Sequence, residues 1–274
     1  MNMKKKTMTK LNAVIGNPLT HSRSPRLHGA LYKRLGLDAV LMPFAHEDVG
    51  KLVAAIRTLG IGLSAVTMPH KGAVIPLLDS VHPEAKAVGA VNTILNVEGK
   101  LTGHNTDLDG IRYALRNVHL RGKHVLIVGA GGAAAAAAHV VVKAGGETMH
   151  ADRTHEKAER LAKRLKGEAV ELSELSPEDV DVIVHATPVG QHPNPGKMAI
   201  PESLIAKHQT VFDLVYNPLN TALLRAAKKK GAKTVSGIDM FVVQGMRQVE
   251  LWTGKKILNE ALVGAMRKEI AKSL

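Results

Sequence analysis

Apolar residues run through this chain in short blocks, each closed by glycine, proline or a polar cluster. LNAVIG at 11–16 reads as a buried strand meeting a glycine turn, and SPRLHGALYKRLG at 24–36 as a helix with Pro25 near its first turn and Gly36 as its stop. AVLMPF at 39–44 predicts a second strand, VGKLVAAIRTLG at 49–60 a second helix, and LSAVTM at 63–68 a third strand halted by Pro69. This succession predicts parallel βα units. From 89 to 110 the pattern loosens: GAVNTILNVEGKLTGHNTDLDG holds short β-prone runs parted by VEGK, an irregular or hairpin-like passage before a helix starting near Leu108.

The character changes at Lys123. KHVLIVGAGGAAAAAAHVVVKAG runs strand, glycine turn and long small-residue helix, and ETMHADRT adds a strand and a turn. VDVIVHATPVG at 180–190 and TVFDLVYNP at 210–218 are further apolar strands, TALLRAAKKKG is a helix, and KTVSGIDM reads as one more strand. That spacing predicts a doubly wound, mostly parallel sheet. DMFVVQGMRQVELWTG and NEALVGAMRKEIAKSL predict helices, and periodicity leaves open whether they complete the second domain or return to the first. The fold class is therefore α/β, with an N-terminal α/β domain over 1–107, a Rossmann-type domain over 108–237 and C-terminal helices over 238–274.

The turn VLIVGAGGAAAAA places Gly129, Gly131 and Gly132 after an apolar strand, a variant of the dinucleotide fingerprint with Ala135 as its last small residue. Glycines let the backbone turn sharply and approach a pyrophosphate, whose charge meets N–H groups at the helix start. Asp152 follows 23 residues after Gly129, where a carboxylate accepts the adenosine ribose hydroxyls and disfavours a 2′-phosphate. Arg153 argues the other way, since a guanidinium grips such a phosphate. An Asp-Arg surface turn with no ligand is the plainer alternative.

Composition narrows the classes. The 274 residues are 45% apolar, enough for two cores, while the 3% aromatic share leaves little with which to stack bases. With no cysteine, disulfides, thiolate nucleophiles and cysteine metal sites are excluded. No run of signal or membrane-spanning length is present, so a cytoplasmic protein without membrane contact is expected. The formal charge of +13 attracts small anions as readily as polyanions. Its clusters, Lys4–Lys6, Lys228–Lys230, Lys268 and Lys272, read as solvated surface, and no nucleic-acid partner is expected.

One cation stands apart. Lys71 closes SAVTMPHK, just where a strand ends, and Asn92 and Asp107 stand at the ends of short β-prone runs. A lysine, an aspartate and an asparagine around an alcohol can orient its hydroxyl and pass its proton while the adjacent carbon gives up hydride. On spacing alone, a solvated loop lysine and a helix-capping Asp107 fit equally well.

These motifs together resemble the shikimate dehydrogenases and their quinate dehydrogenase relatives, from IGNPLTHSRSPRLH through AVTMPHK, GAVNT, GHNTDLDG, GAGGAAAA, DRTHEKA, ATPVG and DLVYNPLNTALL to GIDMFVVQG and LWTG. The resemblance implies Lys71 and Asp107 as the catalytic pair at the substrate's C3 oxygen. Ser22 and Ser24 would receive the substrate carboxylate, with Thr67, Asn92, Tyr216 and Gln244 as further substrate contacts. Cofactor contacts would come from Gly129, Gly131, Gly132, Ala133, Asp152, Arg153, Thr154, Thr187 and Val215, with Gly237 and Met240 beside the nicotinamide. It also implies a substrate domain, a Rossmann domain, helices returning to the first domain, catalysis in the cleft between domains, and no metal.

Four positions depart from the family pattern: Ala65 replaces an asparagine, Asp152 stands first in the usual NRT, Gln191 replaces a methionine, and Val249 replaces a frequent aromatic. The expectation is NADPH-linked reduction of 3-dehydroshikimate to shikimate in aromatic amino-acid synthesis. An NAD-linked quinate or quinate/shikimate dehydrogenase is the rival, on Ala65 and Asp152, and a non-catalytic dinucleotide-binding protein is the remaining alternative. The partner expected is a small anionic substrate, with the chain a monomer or homodimer.

Overall fold

The structure is a computed structural model that describes residues 8–274, so Lys4–Lys6 lie outside the described residues. In chain order the elements are β1 (Lys10–Gly16), α1 (Ser24–Leu35), β2 (Ala39–Ala45), α2 (Val49–Thr58), β3 (Leu63–Val66), β4 (Ser80–Val81), α3 (Pro83–Val88), β5 (Thr93–Val97), β6 (Lys100–His104) and α4 (Asp107–Ala114). There follow β7 (His124–Val128), α5 (Gly132–Lys143), β8 (Glu147–Ala151), α6 (His155–Leu165), β9 (Glu168–Ala169), β10 (Val182–His185), β11 (Thr210–Asp213), α7 (Ala222–Lys229), β12 (Lys233–Ser236), α8 (Gly237–Thr253) and α9 (Glu260–Ala271).

Two compact units emerge. The first takes residues through Lys86 with Val91–Asn105 and Gly245–Ile270; the second takes Ala87–Ala90, Thr106–Gln244 and Ala271–Leu274. The divisions thus fall after Asn105 and inside α8 at 244/245, where the sequence had set them at 107/108 and 237/238. A helix has no chemical mark at the point where its packing partners change.

The sheet of the first unit runs β2-β1-β3-β5-β6-β4. β1 pairs in parallel with β2 and β3, but β5 is antiparallel to both β3 and β6. Parallel βα units therefore describe only its first half; the turn at Glu98 and Gly99, both at positive φ, folds β5 back on β6 as a hairpin. Ala13, Ile15, Val66 and Ile94 bury one face against Leu52, Val53 and Ile56 of α2. On α1, Gly36 adopts φ 62° and caps the helix through its N–H, as its place in the sequence predicted.

The second sheet runs β12-β11-β10-β7-β8-β9 and all its pairs are parallel. Its strands are apolar on both faces because both are covered. Val125 and Ile127 meet the alanines of α5 and Leu161 and Leu165 of α6, while Leu126 and Val128 meet Leu223, Leu224 and Ala227 of α7. Ala134 to Ala138 are almost wholly buried, so the small-residue run is what lets α5 lie close on the strands.

Four strands are shorter than the hydrophobic runs suggested: β10 stops at His185 and β11 at Asp213, and β3 and β12 also end early. β3 ends at Val66, since Thr67 already accepts the His70 N–H in a turn. The run KTVSGIDM ends as strand at Ser236 and continues as α8. A Cβ on Gly237 would stand 2.2 Å from the Leu214 oxygen, so the backbone passes there only as glycine. Helix α6 was not anticipated, although Ala158, Leu161, Ala162 and Leu165 form its buried stripe at helical spacing.

Candidate functional site

In an open α/β sheet, ligands gather outside the carboxyl ends of neighbouring strands whose connections leave in opposite directions. In the first unit that point lies between β1 and β3: the chain leaves β1 toward β2 on one side and enters β3 on the other. Here the sequence-predicted residues of this unit lie. Ser22 and Ser24 follow β1, and Thr67 and Lys71 follow β3.

Backbone bonds tie these segments together. Thr67 N–H donates to the Ile15 oxygen at 2.9 Å and Asn17 N–H to the Met68 oxygen at 2.9 Å. Gly16 is tight against this turn, for a Cβ there would lie 2.4 Å from the Thr67 methyl. Val66 N–H donates to the Asn92 oxygen at 2.7 Å, and Val91 N–H to the Lys71 oxygen at 2.8 Å, so the Asn92 segment joins the same edge. His70, buried, bonds through Nε2 to the His46 oxygen at 2.8 Å and anchors the turn that carries the half-buried Lys71.

Arg23 precedes α1 and its side chain does not cap it, while Ser22 Oγ accepts the Ser24 N–H at 3.4 Å at the helix start. Both serines are half-buried at a helix start, where N–H groups and the dipole favour an anion. Ala65, buried in β3 opposite Thr93, leaves the position without an amide.

Asp107, Gln244 and Tyr216 belong to the second unit, whereas Lys71, Ser22, Ser24, Thr67 and Asn92 belong to the first. Asp107 is buried and is the first residue of α4; Thr106, not Asp107, precedes the helix, which removes the capping role open from sequence alone. The Tyr216 ring stacks on Phe241 at 4.2 Å and 15°, and Gln244 Nε2 donates to the Phe241 oxygen at 2.8 Å, so one turn of α8 seats both. Met240 is buried against α4, where a Cβ on Gly110 would lie 2.5 Å from its oxygen.

The second sheet changes direction between β7 and β10, and the glycine turn sits there. Gly129 has φ +116° and donates its N–H to the Ala151 oxygen at 2.8 Å. A Cβ on it would come to 3.0 Å from both the Ala186 oxygen and the Thr187 methyl, so the close approach requires glycine. Gly131 precedes α5, Gly132 begins it, and Ala133 follows in its first turn, which leaves main-chain N–H groups at the helix start for an anion. A cavity of about 580 Å³ opens beside this edge, lined by Asp152, Arg153, Thr154 and Lys157 on one side and Thr187 and Val189 on the other. Asp152 Oδ1 accepts the Thr154 N–H at 3.0 Å, which holds the carboxylate at the mouth of the turn. A glycine cradle that a Cβ would fill, next to a cavity offering the carboxylates of Asp152 and Glu171 and the cations of Arg153 and Lys157, fits a dinucleotide. Val215 and Gly237 are placed on the neighbouring β11 and β12 ends, Gln191 in the turn after Thr187, and Val249 in the buried stripe of α8. Among the described residues no group of His, Asp and Glu gathers where it could hold a metal ion, and no helix is long and apolar enough to cross a membrane.

Several contributors escaped the sequence reading. Lys157 adds a second cation to the cavity; its spacing of four from Arg153, across a helix start, was the available signal. Gln248 is buried and donates through Nε2 to the Asn92 oxygen at 3.1 Å and to Thr93 Oγ1 at 3.0 Å, while Thr93 donates to Asn92 Oδ1 at 2.7 Å. That chain orients the Asn92 amide. His28, under Ser24, shares its Nδ1 proton with the Ser24 oxygen at 2.9 Å, and burial lowers its pKa to about 4. His104, whose oxygen accepts the Asn92 N–H at 3.0 Å, is also held below the usual histidine range, by burial and by the stacked His82 ring at 5.5 Å.

A six-stranded parallel sheet with a glycine turn at its change of direction, in a chain whose other α/β unit gathers serines and a lysine at its own, defines the class as a dinucleotide-dependent dehydrogenase. Comparison with known proteins agrees. Residues 14–94 match the shikimate dehydrogenase substrate binding domain, 112–217 the shikimate / quinate 5-dehydrogenase family, and 237–270 the shikimate 5′-dehydrogenase C-terminal domain. A shikimate dehydrogenase (NADP(+)) of Shouchella clausii is 40% identical over 260 residues, covering 91% of this chain and 94% of that protein. The structure of shikimate 5-dehydrogenase from Thermus thermophilus in complex with NADP(H) and shikimate superposes with TM-score 0.87 at 35% identity, over 97% of this chain and 100% of that one. Quinate dehydrogenase from Corynebacterium glutamicum in complex with NAD gives 0.86 at 31% identity, over 98% and 100%. The chain belongs to the shikimate dehydrogenase family, and it is an oxidoreductase that acts on a ring CH–OH group.

Proposed function

We propose that this protein catalyses the reversible, NADPH-linked reduction of 3-dehydroshikimate to shikimate. The observation that carries the proposal is that each sequence-predicted set falls at the direction change of its own sheet: Ser22, Ser24, Thr67 and Lys71 at β1/β3, Gly129 and Thr187 at β7/β10. Two neutral hydroxyls at a helix start suit a small carboxylate. Arg153 and Lys157 on one cavity wall support a cofactor with a 2′-phosphate. A bound reduced nicotinamide would supply hydride to the substrate's C3 carbonyl carbon.

The residues of this chain do the rest. Ser22 and Ser24 hold the ring carboxylate, and Thr67, Asn92, Gln244 and Tyr216 complete the grip on the substrate. Lys71 gives one ammonium proton to the C3 oxygen as the hydride arrives, so the ketone gains a hydride and a proton to become the alcohol. Asp107 accepts a hydrogen bond from the new hydroxyl, and Lys71 regains its proton from solvent.

A second reading, an NAD-linked quinate dehydrogenase, is favoured by Asp152, a carboxylate held at the cavity mouth where it would repel a 2′-phosphate. Steady-state kinetics with shikimate and quinate, each against NADP and NAD, separate the two. The largest kcat/KM is expected for shikimate with NADP; a larger value for quinate with NAD would establish the rival instead.

A further inference from the structure

One buried polar chain has no part in the assignments above, yet it ends on the cavity wall. Asp213, the last residue of β11, receives three donors: its Oδ1 lies 2.8 Å from His185 Nδ1 and accepts the Val215 N–H at 3.0 Å, and its Oδ2 accepts the Thr221 hydroxyl at 2.6 Å. Thr221 Oγ1 already accepts the Leu224 N–H at 3.2 Å as the cap of α7, so its own proton is the one directed at Asp213. The Val215 N–H and the Thr221 hydroxyl mark the Asp213 side chain as the acceptor of this set, which puts the ring proton of His185 on Nδ1. His185 Nε2 stands 2.5 Å from Thr187 Oγ1. With the ring proton on Nδ1, Nε2 is the accepting nitrogen, so Thr187 gives its only proton to His185. The Thr187 oxygen also takes the Val189 N–H at 3.2 Å. With its proton committed inward, that oxygen can offer a ligand only a lone pair.

The chain is deeply placed: His185, Asp213 and Thr221 are each 1% exposed. Thr187, by contrast, is half-buried and lines the 580 Å³ cavity together with Asp152 and Arg153. A histidine enclosed this way joins the strand ends that the dinucleotide is to meet.

We propose that His185 is a positioning residue for the cofactor: through Asp213–His185–Thr187 it fixes the Thr187 hydroxyl as a hydrogen-bond acceptor on the cavity wall, ready for a hydroxyl or amide donor of the dinucleotide. The role rests on the cofactor assignment of this cavity. It differs from mere bracing of the strand ends, because bracing needs the bond to Asp213 but not the direction of the Thr187 proton.

Paired variants separate the two halves of the chain. His185→Asn keeps a nitrogen donor toward Asp213 and cannot reach Thr187; His185→Gln reaches toward Thr187 and loses the donor at the Nδ1 position. Fluorescence titration with NADPH and with NADH gives Kd, thermal melts give Tm, and initial rates give KM and kcat. H185N is expected to retain Tm while raising cofactor Kd and KM roughly tenfold, with kcat changed far less. H185Q lowers Tm but binds cofactor better than H185N. Thr187→Val weakens binding as H185N does, Thr187→Ser recovers most of the loss, and the H185N/T187V double variant is no worse than either single one.

Unchanged Kd in H185N or in T187V, or additive losses in the double variant, would overturn the role; should H185N fail to fold, the Thr187 pair decides. A parent protein that binds neither NADPH nor NADH would remove the cofactor assignment and this role with it. A parent that binds while H185N binds equally well would remove the role alone.

Discussion

Lys71 occupies a turn whose main chain, not only its side chain, has work in the fold: its oxygen receives the Val91 N–H. Alanine at this position keeps that bond, so Lys71→Ala is expected to lower kcat by about 10²–10⁴-fold, the usual worth of a positioned acid, with little change in Tm. Near-normal turnover in stopped-flow or steady-state assays would remove the lysine from the chemistry. If Ser22 donates to the substrate carboxylate as proposed, Ser22→Ala is expected to raise the substrate KM about tenfold while kcat holds, as read from matched kinetics. The positions of both residues in the fold were legible beforehand because each sits in a local pattern: a cation behind a strand-ending proline, and serines ahead of a helix. Gln248 was not, since its bonds reach Asn92 and Thr93 across more than 150 residues of chain and nothing near it in sequence points there. Lys157 lay between these cases, within reach of helical spacing but masked by the surrounding charged residues.

At the level of elements, the glycine turn of β7 and α5 is the most constrained joint in the second unit. Gly129 combines φ +116° with a Cβ position 3.0 Å from the Ala186 oxygen, so Gly129→Ala faces a left-handed backbone and a close contact together. A destabilisation of about 1–3 kcal/mol is expected in urea unfolding, with dinucleotide binding reduced more than the loss of folded protein explains. Equal stability and equal cofactor affinity in the alanine variant would mean that the turn makes no close approach to a ligand. This joint was readable from sequence because glycine spacing, an apolar strand and a small-residue helix all agree. The shorter ends of β3 and β12 were not, for hydrophobicity does not record where a backbone stops pairing: Thr67 and Met68 continue the apolar run while turning, and Ile238 and Met240 do so inside α8. The antiparallel β5 and β6 were visible only as a hairpin-like passage, since pairing partners are chosen by the whole sheet rather than by the strands themselves.

Across the whole molecule, each unit encloses a histidine that burial keeps from charging. His28 of the first unit and His150 of the second both have their pKa lowered to about 4, in each case by burial, with the Ser24 oxygen partly opposing the effect at His28. The alternation of polar and apolar residues gave no hint of either, because a histidine inside an apolar pattern reads equally well as surface or core; only the packing of Tyr32 edge-on to His28 and of Thr148 beside His150 decides. The consequence is a defined pH dependence. An unfolded histidine titrates near 6.5, so between about pH 6.5 and 4 the unfolded chain binds protons that the folded chain refuses, and stability must rise with pH through that window. The contribution is complete above about pH 6.5 and is lost as pH falls toward 4. Each histidine can add a slope of up to about 1.4 kcal/mol per pH unit. Urea unfolding between pH 7.5 and 4.5 is expected to show this fall, and His28→Gln and His150→Gln, which keep a polar group without the titration, are each expected to flatten it. A slope that is the same in the parent and in both variants would place the acid sensitivity elsewhere, with His104, also held below the usual histidine range, as the next group to replace.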